Sequence, residues 1–255
     1  MSDSNQQQTR EAFSFKWGEK RNTYDSPETH KFHVQWSIDR YFGTAEKMEE
    51  FMAWCANKKM MDAGCGNGFT SSVVWNKHLN GMDYLGVDIA DDAVATAEKR
   101  FNESELKGRF KADNIQTMQL GEKFDVILSS GVIHHTSDPR ATFDNLVQHL
   151  NPGGKIVFYV YKKKAPMREF ADDLIRERMQ PMSDEEAWEA MKPLSELGMK
   201  LGELNAEIEL ENNIDLLEIP AGKHNVQRLF YWYFMKAFYR PEYSMDEMNH
   251  INFDW

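Results

Sequence analysis

The seven-residue run Asp62-Ala63-Gly64-Cys65-Gly66-Asn67-Gly68 constrains this chain more than any other feature. Glycines at alternate positions let a backbone turn sharply and let another group approach it closely. The run follows Lys58-Lys59-Met60-Met61-Asp62-Ala63, which reads as a short apolar strand, and precedes Phe69 to His78, which reads as a helix. A strand, a glycine turn and the free N–H groups of a helix start together make a ligand-binding corner of an α/β sheet. The spacing is not the dinucleotide fingerprint, because counting from Gly64 its last position falls on Phe69. Nor is it a P-loop, because no Gly-Lys-Ser/Thr follows.

The residues beyond repeat the strand–helix alternation. Tyr84 to Ile89 reads as a second strand. A helix to about Asn102 follows, which Asp91 or Asp92 can cap and in which Ala93, Val94 and Ala97 have helical spacing. Gly108 to Ala112 is a third strand, Phe124 to Ser129 a fourth, Pro139 to Leu150 a helix, and Lys155 to Tyr161 a fifth strand behind the turn Asn151-Pro152-Gly153-Gly154. Strands alternating with helices of 10–15 residues give βαβ units, hence a doubly wound, mostly parallel, Rossmann-like sheet.

Composition narrows the function classes. The 255 residues carry 30 basic and 41 acidic side chains, a net charge of −11, which disfavours binding to a nucleic-acid backbone. A 41% apolar fraction is ample for a core. Two cysteines, Cys55 and Cys65, exclude a disulfide framework. No stretch reaches the roughly 18 apolar residues of a membrane span, and MSDSNQQQTR lacks the pattern of a secretory signal, so a cytoplasmic protein is expected.

With these motifs in order, roughly residues 55–165 resemble the class I S-adenosylmethionine-dependent methyltransferases, of the small-molecule type. The resemblance implies S-adenosyl-L-methionine as cofactor and a methyltransferase activity. Asp62, Gly64, Cys65, Gly66, Asn67 and Gly68 match the family's first motif, which passes beneath the methionine part of the cofactor. Asp88, with Ile89 beside it, matches the acidic residue that accepts hydrogen bonds from both ribose hydroxyls, a role that suits a two-oxygen acceptor. Asp113 and Asn114 match the position that holds the adenine amino group, and Ser130 and Gly131 match the segment flooring the transfer pocket. The family members that methylate exocyclic amino groups of nucleobases or glutamine carry Asn or Asp followed by Pro-Pro and an aromatic after the fourth strand, where this chain has Ser129-Ser130-Gly131-Val132. Its cytosine carbon-5 enzymes carry Pro-Cys, and neither cysteine here follows a proline. Transfer to an oxygen of a small molecule is therefore favoured. Nitrogen or carbon acceptors stay open, as does a cofactor-binding interaction protein without turnover.

Oxygen acceptors need a proton removed, and histidine titrates near the working range. His134 and His135 follow the fourth strand and are the catalytic candidates, against the alternative that they cap the next helix with Thr136 and Asp138. Trp17, Tyr24, His33, Tyr161 and His224 are substrate-contact candidates. His30 and His33 share a helical face, but no metal spacing accompanies them, and no metal is expected.

Three regions follow: a helical lid or cap over 1–50, the cofactor-binding core over 51–165, and a helical insertion or cap over 166–255. Residues 166–219 hold 15 acidic and 5 basic side chains. Residues 224–239 are apolar almost all round, the pattern of a buried helix or a homodimer contact. The family fold ends with two more strands, for which there are only weak candidates, such as Glu207–Leu210 and Leu216–Ile219. The sheet is thus completed by them, short, or completed by a partner chain.

Overall fold

The computed structural model describes residues 10, 11, 13–15 and 26–253. The chain divides into two compact units, Met1–Tyr161 and Lys162–Trp255.

The first unit is built on a five-stranded, all-parallel sheet. Its strands are β1 (Lys59–Ala63), β2 (Asp83–Asp88), β3 (Arg109–Ala112), β4 (Phe124–Ser130) and β5 (Leu150–Tyr159), in the order β3-β2-β1-β4-β5. Asp62 pairs with Gly86 on one side and with Leu128 on the other. Both faces of the sheet are covered, so its central strands read as nearly continuous apolar runs. Alternation along β1 sends Met60 to one core and Met61 and Ala63 to the other. The first core gathers Met48, Met52, Trp75, Leu79, Tyr84 and Phe101, and the second Val87, Phe124, Ile127 and Leu146. Burying each such side chain contributes about 1.5–3 kcal/mol.

Ahead of β1, the helices α1 (Pro27–Ser37) and α2 (Ala45–Cys55) are joined by the π-helical turn Ile38–Phe42. Ser26 and Thr44 cap them by accepting from Thr29 and Lys47 N–H. Helix α2 meets β5 through Lys155, whose Nζ lies 4.2 Å from the Trp54 ring centre. Further helices of this unit are α3 (Asp91–Glu103) and α4 (Pro139–Gln148).

Several sequence expectations need correction. Neither Asp91 nor Asp92 caps α3: its N-cap is Ala90, whose N–H is taken by Asp88 Oδ1 at 3.0 Å. The expected α-helix over Phe69–His78 is a π-helix, Ser71–Trp75, running into a 3-10 helix, Asn76–Gly81. Ser71 and Ser72 hydroxyls donate to Asp62 and to the Phe69 carbonyl, and Asn76 takes a positive φ of 33°. Side chains that bond locally in this way compete with regular helix geometry. Strand β5 begins at Leu150 and ends at Tyr159, so it absorbs the Asn151–Gly154 turn through a register shift against Phe124 and Val126.

The second unit contains α5 (Pro166–Met179), α6 (Asp184–Glu203), β6 (Glu207–Leu210), β7 (Gly222–Asn225), α7 (Val226–Tyr233) and α8 (Met245–Asn252). The main sheet stays at five strands: β6 pairs antiparallel with β7 in a sheet of two. Leu216–Ile219 is not a strand, because Glu218 takes a left-handed φ of 56° and leaves only the bridge Ile214–Ile219. The apolar segment 224–239 forms only the eight-residue α7, because β7 uses residues to Asn225 and Phe234 leaves helical geometry. Reciprocal capping boxes, Ser183 with Glu186 and Ser244 with Glu247, start α6 and α8. Inside, Ser195 Oγ bonds Asn249 Oδ1 at 2.7 Å and accepts from Asn252 Nδ2 at 2.9 Å. Arg168, 1% exposed, donates to Asp172 at 2.7 Å and to the Tyr231 carbonyl, and lies over the Tyr231 ring. No helix among the described residues is long and apolar enough to cross a membrane.

Candidate functional site

The strand order reverses between β1 and β4, and the crevice beyond their carboxyl ends is where open α/β sheets bind ligands. The glycine loop occupies it. Gly64 and Cys65 N–H donate to the Val87 carbonyl at 2.7 and 3.0 Å, so the loop folds back over the end of β2. Gly64 has φ 86°, and a Cβ there would stand 2.4 Å from both Val132 methyl groups, so only glycine fits between β1 and the segment after β4. Gly66 and Gly68 also have positive φ.

Asp88 ties the loop to β2. Its Oδ2 accepts from Gly66 N–H at 2.9 Å and its Oδ1 from Ala90 N–H at 3.0 Å. The two oxygens carry four acceptor sites, of which the Gly66, Ala90 and Ile89 N–H groups take three, so one remains for a ligand hydroxyl. Burial pushes the Asp88 carboxyl up, and the N–H donors of Ala90, Gly66 and Ile89 pull it back down. Ile89 beside it is half-buried, an apolar surface next to the acceptor.

Asp62 is buried. Its Oδ2 accepts from Ser71 Oγ at 2.5 Å and from Tyr84 OH at 3.0 Å, which ties the end of β1 to the helix after the loop and to β2. Burial raises its pKa to about 6, against the two hydroxyl donors. Among the other proposed ligand residues, Cys65 is buried, and Asn67 Oδ1 accepts from Phe69 N–H at 3.2 Å. Asp113 stands at the end of β3, its N–H bonded to the Asp88 carbonyl and its Oδ2 2.7 Å from Lys111 Nζ. Asn114 Oδ1 accepts from Gln116 N–H.

Ser130 ends β4, and Gly131 follows with φ 75° and no atom within 4 Å of where a Cβ would stand. The turn therefore presents an open face to the crevice. Its hydroxyl bonds Tyr41 OH at 2.5 Å, bringing the π-turn after α1 over the end of β4. Burial raises the Tyr41 phenol to about 12, so it stays protonated. Trp36 packs edge-on to Tyr41 and to Tyr159, with ring centres 6.0 and 5.2 Å apart. His134 and His135 form a 3-10 turn beyond β4, with His134 4.0 Å from the Tyr161 ring and His135 5.5 Å from Phe13. The histidines do not cap α4: Asp138 does, accepting from Ala141 N–H at 2.9 Å.

The structure thus gathers the glycine loop, Asp88, Ile89, Asp113, Asn114, Ser130, Gly131, His134, His135 and Tyr161 around the carboxyl ends of the strands. His33 instead packs on Phe69, 4.9 Å between ring centres, with its pKa lowered to about 4 by burial and by nearby His30. His224 lies in the second unit, where its Nε2 bonds the Pro220 carbonyl. Trp17 and Tyr24 lie outside the described residues. The pairing of Tyr41 with Ser130 and the bracing by Ser71 and Tyr84 join residues far apart in sequence, and no local pattern announces them. The remaining acceptor site on Asp88, the half-buried Ile89 and the open space at Gly131 suit the sugar of a nucleoside.

Residues 61–156 match the family model described as a methyltransferase domain. Among curated relatives, the ubiquinone biosynthesis O-methyltransferase of Methylococcus capsulatus is 31% identical over 106 residues, 40% of this chain and 43% of that protein. The protein of the same name from Pseudomonas putida is 23% identical over 219 residues, 84% and 87% of the two chains. Phosphoethanolamine N-methyltransferase 1 of Triticum aestivum is 30% identical over 136 residues, 51% of this chain and 26% of that one. The chain therefore spans less than half of the first and last of these relatives. The solved structure of the N-methyltransferase NodS of Bradyrhizobium japonicum aligns with a TM-score of 0.43 at 20% identity, covering 66% of this chain and 76% of that one.

Proposed function

We propose, from the premise that the chain carries a class I S-adenosylmethionine-dependent methyltransferase domain, that it methylates an oxygen atom of a small molecule. The observation that carries the cofactor part of this reading is the buried Asp88 carboxylate, latched to the glycine loop through Gly66 and keeping an acceptor site for a ribose hydroxyl. When bound, S-adenosylmethionine supplies a methyl group on a sulfonium already activated for displacement. What remains for the protein is binding, alignment and exclusion of water. The glycine loop and Asp88 hold the cofactor, Asp113 and Asn114 lie toward its base, and Ser130 and Gly131 floor the pocket. Residues 1–50 act as the lid, of which Tyr41 and Trp36 are the described part that reaches Ser130 and Tyr159. His134 or His135 takes the proton from the acceptor hydroxyl, with the Tyr161 ring tilted against His134 to orient it.

An oxygen acceptor also accords with the names of the Methylococcus and Pseudomonas relatives, while the wheat relative is named for a nitrogen acceptor. The assay is S-adenosylhomocysteine formation against a panel of catechols, phenols, hydroxy acids and primary amines. Turnover of hydroxyl acceptors supports the reading. Turnover of amines alone overturns the oxygen assignment, and cofactor binding without product on any acceptor overturns the enzyme. The assembly we propose is a homodimer through α7, where Trp232 is 44% exposed, and a monomeric mass by light scattering contradicts it. A reducing cytoplasm suits the two buried thiols, Cys55 and Cys65.

A further inference from the structure

A cavity lies in the first unit beside the helix that follows the glycine loop. It has a volume of about 530 Å³ and opens between α1, the π-helix Ser71–Trp75 and the end of α3. That size is within the range of about 300–1,000 Å³ typical of small-molecule sites. Its lining shares no residue with the loop, Asp88, or the segment after β4.

The lining is chemically biased. It presents two permanent cations, Lys31 and Arg100, and no carboxylate. The chain as a whole carries 41 acidic residues against 30 basic ones, so a carboxylate-free wall with two cations is the reverse of the average surface. Around the cations stand polar groups able to donate or accept hydrogen bonds: His30, Gln35, Ser72, Asn76 and Ser104. Val34 and Val73 add an apolar strip. His30 Nε2 is buried and makes no hydrogen bond among the described residues. A buried polar atom in that state loses its hydration without replacement, and a ligand oxygen at hydrogen-bond distance removes the cost.

The geometry that opens the cavity is specific. The helix after the glycine loop is wound as a π-helix and passes through Asn76, φ 33°, into a 3-10 helix, and Ser72, Val73 and Asn76 of this irregular stretch line the cavity. Phe69, 5% exposed, follows the last glycine of the loop and packs on two of the lining residues. The Arg100 guanidinium carbon lies 5.6 Å from its ring centre, and the His30 ring 5.5 Å. An arginine held over an aromatic face is pre-organised, so it loses less side-chain freedom when it grips an anion.

We propose that this cavity is a binding site, separate from the methyl-transfer site, for a small molecule bearing a phosphate or carboxylate group, with Lys31 and Arg100 holding the anion and Val34 and Val73 its apolar body. A guanidinium pairs with two anion oxygens at once, and an ammonium adds a point charge. The proposal does not depend on the acceptor or on turnover.

Calorimetric titration of the full chain with phenyl phosphate, inorganic phosphate and benzyl alcohol tests it. The expected result is saturable binding of phenyl phosphate, with benzyl alcohol weaker by about tenfold or more, the contribution of charge-assisted hydrogen bonds. Inorganic phosphate binding as tightly as phenyl phosphate identifies a free oxyanion as the occupant, and weaker binding identifies an organic one. The Lys31→Gln and Arg100→Gln variants each weaken phenyl phosphate binding by about tenfold. Both retain the wild-type affinity for S-adenosylhomocysteine, which also shows that they are folded. Lys31 is exposed, so its variant carries the test alone if Arg100→Gln does not fold. Equal binding of phenyl phosphate and benzyl alcohol, absence of saturable heat with phenyl phosphate, or wild-type phosphate affinity in Lys31→Gln overturns the site. A parallel loss of S-adenosylhomocysteine binding in a folded Lys31→Gln variant also overturns it, by showing the cavity to be part of the methyl-transfer site.

Discussion

Gly64→Ala isolates the steric requirement on which the loop rests. At φ 86° an alanine sits in the region that L-residues avoid, at a cost of about 1–2 kcal/mol. Its Cβ would also stand 2.4 Å from Cγ1 and Cγ2 of Val132, and overpacking of that kind costs about 1–3 kcal/mol. The two contributions sum to about 2–5 kcal/mol of lost stability. They are separable, because only the second depends on Val132. Val132→Ala removes both 2.4 Å contacts and leaves the Cβ at 2.8 Å, so in the double variant part of the steric cost disappears while the backbone cost stays. A double-mutant cycle by urea unfolding should therefore show a favourable coupling of about 1 kcal/mol or more between the two sites. Wild-type stability in Gly64→Ala, or purely additive effects in the double variant, refutes the packing of the glycine loop against the segment after β4.

Three further outcomes follow from the same geometry. Asp62 has its pKa raised to about 6 from an ordinary value of 3.8, so the fold favours its protonated form. Stability is then fully present below about pH 4 and is lost as pH rises through about 6. Asp62→Asn should remove about 3 kcal/mol of that decline in thermal or urea unfolding measured from pH 4 to 7, and an unchanged slope contradicts the burial argument. Asp172→Ala strands the buried Arg168 charge and should cost about 3–5 kcal/mol, whereas replacing both by apolar residues should cost much less; equal losses contradict the reading of the pair. If a histidine beyond β4 is the general base, replacing both His134 and His135 with alanine lowers kcat by about a hundred- to ten-thousandfold while S-adenosylhomocysteine affinity stays within a few-fold. Normal turnover in that variant removes the role.

The core of the first unit was legible because its determinants are local. Met60 and Met61 alternate between two cores, the glycines follow directly, and Asp88 closes the next strand, so periodicity and spacing located the crevice. The geometry of the helix after the loop was not legible, since it depends on Ser71 reaching Asp62 nine residues back. Tyr41 meeting Ser130 is a contact across 89 positions, and only the folded chain brings the two together. Beyond Lys162, a short segment such as Glu207–Leu210 has the pattern of a strand but no local mark of its partner, which proved to be Gly222–Asn225. The apolar run 224–239 misled on length because side-chain character does not record where β7 ends and where Phe234 leaves the helix.

The central claim is that Asp88, latched to Gly66, grips the sugar of an adenosyl cofactor. Calorimetric titration of S-adenosylhomocysteine into the wild-type chain and into Asp88→Asn tests it most directly. The expected result is saturable binding to the wild type and an affinity about ten- to a hundredfold lower in the variant, the worth of hydrogen bonds to a charged acceptor. No heat with the folded wild type, or equal affinity in the two proteins, contradicts it.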